Sequence, residues 1–225
     1  MARIARVIVP GLPHHVTQRG NGRRRVFFSD ADYARYRDLL ARRCQAAGVE
    51  IWAWCLMPNH VHLLLVPHDE DGLRNALSKV HRTYAGIIHA REQKSGHFWQ
   101  GRFGSVALDE DHLLSAFRYV ALNPVRAGLV KEAAAWPWAS TRAYLSGEDD
   151  GVTQRGPMLS RFPDMGGMFG EPQAFDLAAF DRLRKAETLG RPLGSGEFVQ
   201  ALTDRFGRAL APLKPGPKRR GGETN

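Results

Sequence analysis

The stretch Met57-Pro58-Asn59-His60-Val61-His62-Leu63-Leu64-Leu65-Val66-Pro67 constrains this chain more than any other. Residues 60–66 form a short run rich in branched apolar side chains, entered through Pro58-Asn59 and closed by Pro67. That is the pattern of a buried strand bounded by turn residues. Residues 49–56 read as a strand too, so the turn at 57–59 pairs the two as an antiparallel hairpin. Side chains alternate across a strand, which puts His60 and His62 on one face and Val61 and Leu63 on the other. Two imidazoles side by side on a rigid strand make half of a site for a divalent metal. The same pair also suits two hydrogen-bonded polar residues at a sheet end, and the strand alone does not choose.

The rest of the chain supplies the partners of that hairpin. His14-His15-Val16-Thr17-Gln18-Arg19 reads as a strand running into the turn Gly20-Asn21-Gly22 and the triplet Arg23-Arg24-Arg25. Val26-Phe27-Phe28 either completes a hairpin arm or packs beneath the sheet. Ser29 is an N-cap candidate; Tyr33, Tyr36, Leu39, Leu40 and Cys44 then recur at helical spacing until Gly48. Residues 71–93 repeat the helical pattern through Leu73, Leu77, Val80 and Tyr84. Residues 105–108 give another strand, and a helix from about 112 to 123 follows, ended by Pro124. On that last helix Leu113, Phe117 and Val120 form the packing stripe, while Tyr119 and Asn123, four apart, share another face. Trp136-Pro137-Trp138 pins the chain back onto the core, and Tyr144 reads as packing.

Beyond this unit the pattern weakens. Residues 147–180 are rich in Gly, Pro, Asp and Met and read as an irregular linker. Residues 181–213 form a small helical extension, with Leu183, Leu189, Phe198, Leu202, Phe206 and Leu210 suited to a packed helical pair. Residues 214–225 form a basic tail of disordered composition.

Charge narrows the partner. The net charge is +9, and it is uneven: 20 basic against 12 acidic residues through residue 146, then 12 against 11. A basic surface of this size suits a polyanion, with nucleic acid first. All nine histidines precede residue 113, in the same basic portion. Around 97–103, His-Phe-Trp-Gln-Gly-Arg-Phe mixes aromatic rings, Arg102 and a glycine, which suits unpaired bases or an ordinary core strand with an exposed arginine. Cys44 and Cys55 are unpatterned, and no apolar run has transmembrane length or the form of a signal peptide. The expected setting is cytoplasmic.

Four segments in order carry a family resemblance: Val16-Thr17-Gln18-Arg19-Gly20-Asn21, Met57-Pro58-Asn59-His60-Val61-His62, Gly101-Arg102-Phe103, and Tyr119-Val120-Ala121-Leu122-Asn123-Pro124-Val125-Arg126-Ala127-Gly128-Leu129-Val130. Together they resemble the REP-associated tyrosine transposases (RAYT), single-tyrosine HUH enzymes of the IS200-like kind. The resemblance spans roughly residues 1–145, and Gly190-Arg191-Pro192-Leu193-Gly194-Ser195 is similar to the C-terminal extension of some members. It implies an α+β, ferredoxin-like (RRM-like) antiparallel sheet with helices on one face, over a domain of residues 1–146. It also implies His60 and His62 as ligands of Mg²⁺ or Mn²⁺, Asn123 as a third polar ligand, and Tyr119 as nucleophile.

The implied reaction is nicking and joining of single-stranded DNA at REP-type hairpins, through a 5′-phosphotyrosine, by a monomer or homodimer away from membranes. Arg19, Arg23, Arg24, Arg25, Lys79, Arg82 and Arg102 are the candidate DNA contacts. His14, His15, His81 and His97 are within reach of such a site, and each alone reads as structural. Two other readings fit the residues: a DNA or RNA hairpin binder without catalysis, and a metal-dependent phosphoesterase using water.

Overall fold

The computed structural model describes residues 5–170 and 176–211. Four strands, β1 (His14–Arg19), β2 (Val49–Met57), β3 (His60–Pro67) and β4 (Gly104–Ala107), form one sheet. Their order is β2-β3-β1-β4, and every pairing is antiparallel. Read from the other edge, this is the ferredoxin-like order expected from the sequence. The histidine strand β3 is therefore central, between β2 and β1. Residues 26–28 add no strand; Val26 and Phe27 pack in the core beneath the sheet.

The two sheet faces follow from alternation. Val16, Val61, Leu63 and Leu65 point to one face, where they meet α1 (Asp30–Ala46) and α2 (Gly72–Glu92) through Tyr36, Leu40, Leu77 and Tyr84. Burying such side chains contributes roughly 1.5–3 kcal/mol each. The Asp32 carboxylate accepts a hydrogen bond from the Ser29 N–H at the start of α1 and pairs with Arg91 at 2.5 Å, which ties α1 to the last turn of α2. In β2 the register shifts between Ile51 and Ala53, so Trp52 and Ala53 both turn to the opposite face.

That opposite face is also covered, where the resemblance implies helices on one side only. α3 (Glu110–Ala121) lays Leu113, Phe117 and Val120 against Leu64, Val66 and Val106. It is opened by Asp109, whose side chain accepts the His112 N–H. It ends at Leu122, since Pro124 has no N–H to continue the ladder. A separate turn, α4 (Asn123–Arg126), follows. Trp136 donates to the Leu56 carbonyl and Trp138 stacks on Tyr33 at 4.9 Å, which pins this segment to the sheet as expected. α5 (Thr141–Ser146) carries Tyr144, whose hydroxyl donates to the Trp52 carbonyl.

The region read as an irregular linker holds two short helices, α6 (Gly156–Arg161) and α7 (Met165–Gly170), and the next helix, α8 (Leu177–Leu189), begins within it. Met158 and Met165 anchor the first two on the second face of the sheet. α8 and α9 (Gly196–Phe206) do not pack as a pair of their own. Phe180, Leu183 and Ala186 of α8 join the core under α3, whereas Leu202 of α9 packs with Val7, Val9 and Ala107. Between them, Leu193 bridges Leu108 in parallel and donates its N–H to the Ala107 carbonyl, alongside edge strand β4. The basic tail read over 214–225, and residues 212–213 of the expected extension, lie outside the described residues.

His81 shows how the first core treats a titratable group. Its Nε2 lies 2.9 Å from the Tyr36 hydroxyl, and burial lowers its pKa to about 3. A folded pKa below the unfolded value of 6.5 leaves stability intact above about pH 6.5 and erodes it as pH falls toward the folded value. Each pH unit in that window costs about 1.4 kcal/mol. His81→Gln is expected to flatten the pH dependence of urea unfolding between about pH 6 and 4 by that slope; an unchanged slope refutes the assignment.

Candidate active site

The site is built on strand parity. In the β1–β3 pairing, His15 faces Leu64, Thr17 faces His62 and Arg19 faces His60. Directly opposed residues share a face. His15, Thr17 and Arg19 therefore stand beside His60 and His62 on the side covered by α3. His60 and His62 have ring centroids 4.7 Å apart. His15 and His62 are stacked, with Nε2 of His15 3.0 Å from Nδ1 of His62.

α3 delivers Tyr119 to the same place. Its ring meets His62 edge-on at 5.2 Å and His15 at 5.5 Å. The other sides of the ring are closed by Phe180 of α8 at 5.2 Å and by the Arg126 guanidinium, 4.5 Å from the centroid. Tyr119 is 3% exposed. Asn123 is buried one turn later, and its Nδ2 has no hydrogen-bond partner among the described residues.

The imidazoles are held neutral. Burial lowers the His15 pKa to about 3. Burial, then Arg19 and Arg126, lowers His60 to about 3. Burial, then His60, His15, Arg19 and Arg126, pushes His62 well below its ordinary value. Neutral imidazole is the form that binds metal. His60 has Nδ1 2.6 Å from the Asn59 Oδ1, which leaves Nε2 as its free donor atom. His62 Nε2 is buried without a partner among the described residues. For that atom to offer its lone pair, Nδ1 carries the proton and donates to His15, the outer contact that orients a ligating histidine. The two imidazoles thus offer open lone pairs to a divalent ion that also takes phosphate oxygens, and the buried Asn123 amide lies one turn beyond Tyr119. Among the described residues no three His, Cys, Asp or Glu side chains gather as a cage, so the donor set would stay open.

The remaining sequence candidates divide. Arg19 borders His60. Arg102 lines a small cleft with Glu187, and Glu187 accepts from the Thr17 hydroxyl at 2.8 Å. Burial raises the Glu187 pKa, against the Thr17 hydrogen bond and the charges of Arg19, Arg184 and Arg126. Arg23, Arg24 and Arg25 sit on the loop after β1, fastened to the site where Asn59 donates to the Arg23 carbonyl at 3.0 Å. Arg82 is exposed on α2, the helix of the other face. Lys79 does not join the site: it shares a cleft with Gly48 and Asp69, at the far end of β3. His14 is used locally, its ring bonded to the Val9 N–H and the Leu12 carbonyl.

Sequence reasoning put His15 within reach of the site but read it alone as structural, and it missed Arg126 and Phe180 altogether. For His15 a signal existed, since residues 15, 17 and 19 share a face; only the β1–β3 register makes it readable. Phe180 had no local signal, because its neighbour is 61 residues away.

Comparison with known proteins points to one family. A family model described as "Transposase IS200 like" matches residues 9–123. A protein of Haemophilus influenzae described as a REP-associated tyrosine transposase is 29% identical over 125 residues, covering 50% of this chain and 70% of that one. A REP-associated tyrosine transposase of Escherichia coli is 29% identical over 96 residues, covering 40% and 53%. The solved structure of a REP-associated tyrosine transposase bound to a REP hairpin shares the fold, with TM-score 0.56 and 22% identity over 68% of this chain and 90% of that one. With more than half its length matched by the family model, the chain belongs to the IS200-like transposases.

Proposed function

We propose that this chain nicks and rejoins single-stranded DNA at REP-type hairpins, with Tyr119 as nucleophile. The observation that carries this reading is the packing of the Tyr119 ring on His62 and His15, beside His60. The phenol oxygen would attack the scissile phosphorus, the bond from phosphorus to the 3′ oxygen would break, and the phenol proton would end on the departing 3′-OH. The DNA is left joined by a 5′-phosphotyrosine, and attack by a 3′-OH reverses the step without an external energy source. His60, His62 and Asn123 would hold Mg²⁺ or Mn²⁺, which when bound polarises the phosphate and offsets its developing charge. Arg19 and Arg126 supply fixed positive charge beside neutral donors, an arrangement that favours a phosphate over a carboxylate-lined alternative.

Tyr119 lies beneath Phe180 and Arg126. That burial favours one second reading, a hairpin binder that performs no chemistry. A gel separates the two. Incubation with labelled hairpin DNA and Mn²⁺ is expected to give an SDS-resistant adduct that Tyr119→Phe abolishes while hairpin binding persists. An adduct formed by the variant, or none formed by the native chain, overturns the catalytic reading.

Two further outcomes follow from the site. His15→Ala should leave the fold intact and weaken Mn²⁺ binding about 10- to 100-fold, measured by electron paramagnetic resonance titration. Phe180→Ala should open Tyr119 to nitration by tetranitromethane while Tyr36 stays protected, and it should raise adduct yield. Unchanged protection of Tyr119 would show that Phe180 is not its cover.

A further inference from the structure

Helix α8 carries an acidic side chain, Glu187, into the basic surroundings of the candidate active site, and stability does not account for it. Glu187 lies in the last turn of α8, where the free carbonyls already make the field negative and no basic residue of that turn offsets them. It is half-buried, and burial works against its charge. A glutamine would keep a hydrogen bond to Thr17 without either cost. A charge held at a cost inside a cleft marks a candidate functional group.

The placement is specific. The Thr17 hydroxyl donates to Glu187 Oε1 at 2.8 Å, and Thr17 stands opposite His62 on the histidine face of β1. Gly104 of β4 makes room for the contact: a Cβ there would lie 3.0 Å from Thr17 Oγ1 and 3.8 Å from Glu187 Cγ. On α8 Glu187 follows Phe180 by two turns, on the same face, so the helix that covers Tyr119 also carries the carboxylate.

The charged groups around Glu187 are basic. Arg19 comes from β1, Arg126 from α4 and Arg184 from α8 itself, while Arg102 and Arg6 line the same cleft. Arg184 pairs with Asp181, and Arg6 lies over the Phe103 ring and donates to its carbonyl. Arg19 and Arg126 differ from these, because both also act on His60 and His62. The two guanidinium groups repel each other, and Arg126 has in addition to keep its place 4.5 Å from the Tyr119 ring centroid. One carboxylate within reach of both offsets that repulsion and holds them together beside the imidazoles.

We propose that Glu187 is a positioning residue of the nicking reaction: docked on Thr17, its carboxylate aligns Arg19 and Arg126 to meet the scissile phosphate as Tyr119 attacks. The inference rests on the reading that Tyr119 cleaves DNA, and it gives the C-terminal part of the chain a share in the chemistry. Glu187 does not touch the phosphate. Its charge weakens ground-state binding of a polyanion, and the alignment it provides acts in the transition state.

Two measurements on the full chain test it: single-turnover adduct formation on labelled hairpin DNA with Mn²⁺, and hairpin affinity by fluorescence anisotropy. Glu187→Gln keeps the shape and the Thr17 contact and removes the charge. It should slow the adduct step about 10- to 100-fold, while hairpin affinity stays level or tightens and the thermal midpoint does not fall. Glu187→Asp keeps the charge on a shorter stem and should recover part of the rate. Alignment needs the ionised carboxylate, and burial moves its titration up from the ordinary carboxylate range. The native rate should therefore fall as pH drops from about 8 to 5, along a limb that Glu187→Gln lacks. Adduct formation by Glu187→Gln at the native rate overturns the proposal, and so does an acid limb that persists in this variant. Rate, affinity and thermal midpoint falling together also overturn it, since that pattern is lost packing. No adduct from the native chain overturns the cleavage reading itself, and the inference with it.

Discussion

The register between β1 and β3 is the constraint on which the site depends. Because Arg19 opposes His60 and Thr17 opposes His62, every polar group of β1 that matters lies on the histidine face. A slip of one residue would send His15, Thr17 and Arg19 to the face packed by α1 and α2, and bring Val16 against the imidazoles. The apolar partners forbid that slip: Val16, Val61, Leu63 and Leu65 are wholly buried on the first face. The hydrophobic core thus fixes the position of the chemistry through alternation.

The electrostatics follow from the same placement. Three imidazoles in a dry environment stay uncharged, while Arg19 and Arg126 keep the surroundings positive. A protonated histidine cluster would attract phosphate without discrimination and could not donate lone pairs. Separating the two duties, neutral donors on strands and permanent cations beside them, lets one small area address both an ion and a phosphodiester.

Much of this was legible in the chain itself. The hairpin around Pro58-Asn59, the placement of His60 and His62 on one face, the four strands and the two long helices all follow from local periodicity, which survives folding because each segment packs through the stripe it displays. Tyr119 was legible only through resemblance, since spacing by itself made it one more aromatic on a helix. The helical content of 147–180 was not legible: Gly and Pro dilute the pattern, and the short helices α6 and α7 are stabilised by Met158 and Met165 reaching a distant sheet rather than by propensity. Lys79 looked like its neighbours in charge, but it sits on α2 beside Gly48 and Asp69, at the end of the sheet away from His60.

Leu193 alters what the sheet can do beyond its own boundary. Strand β4 is short and outermost, the kind of rim where another chain readily adds a strand. The Leu193 N–H already occupies the Ala107 carbonyl, and Leu108 is bridged as well. Strand addition at this end of β4 therefore requires the residues after α8 to leave first, which couples the free rim of the sheet to the placement of the C-terminal helices.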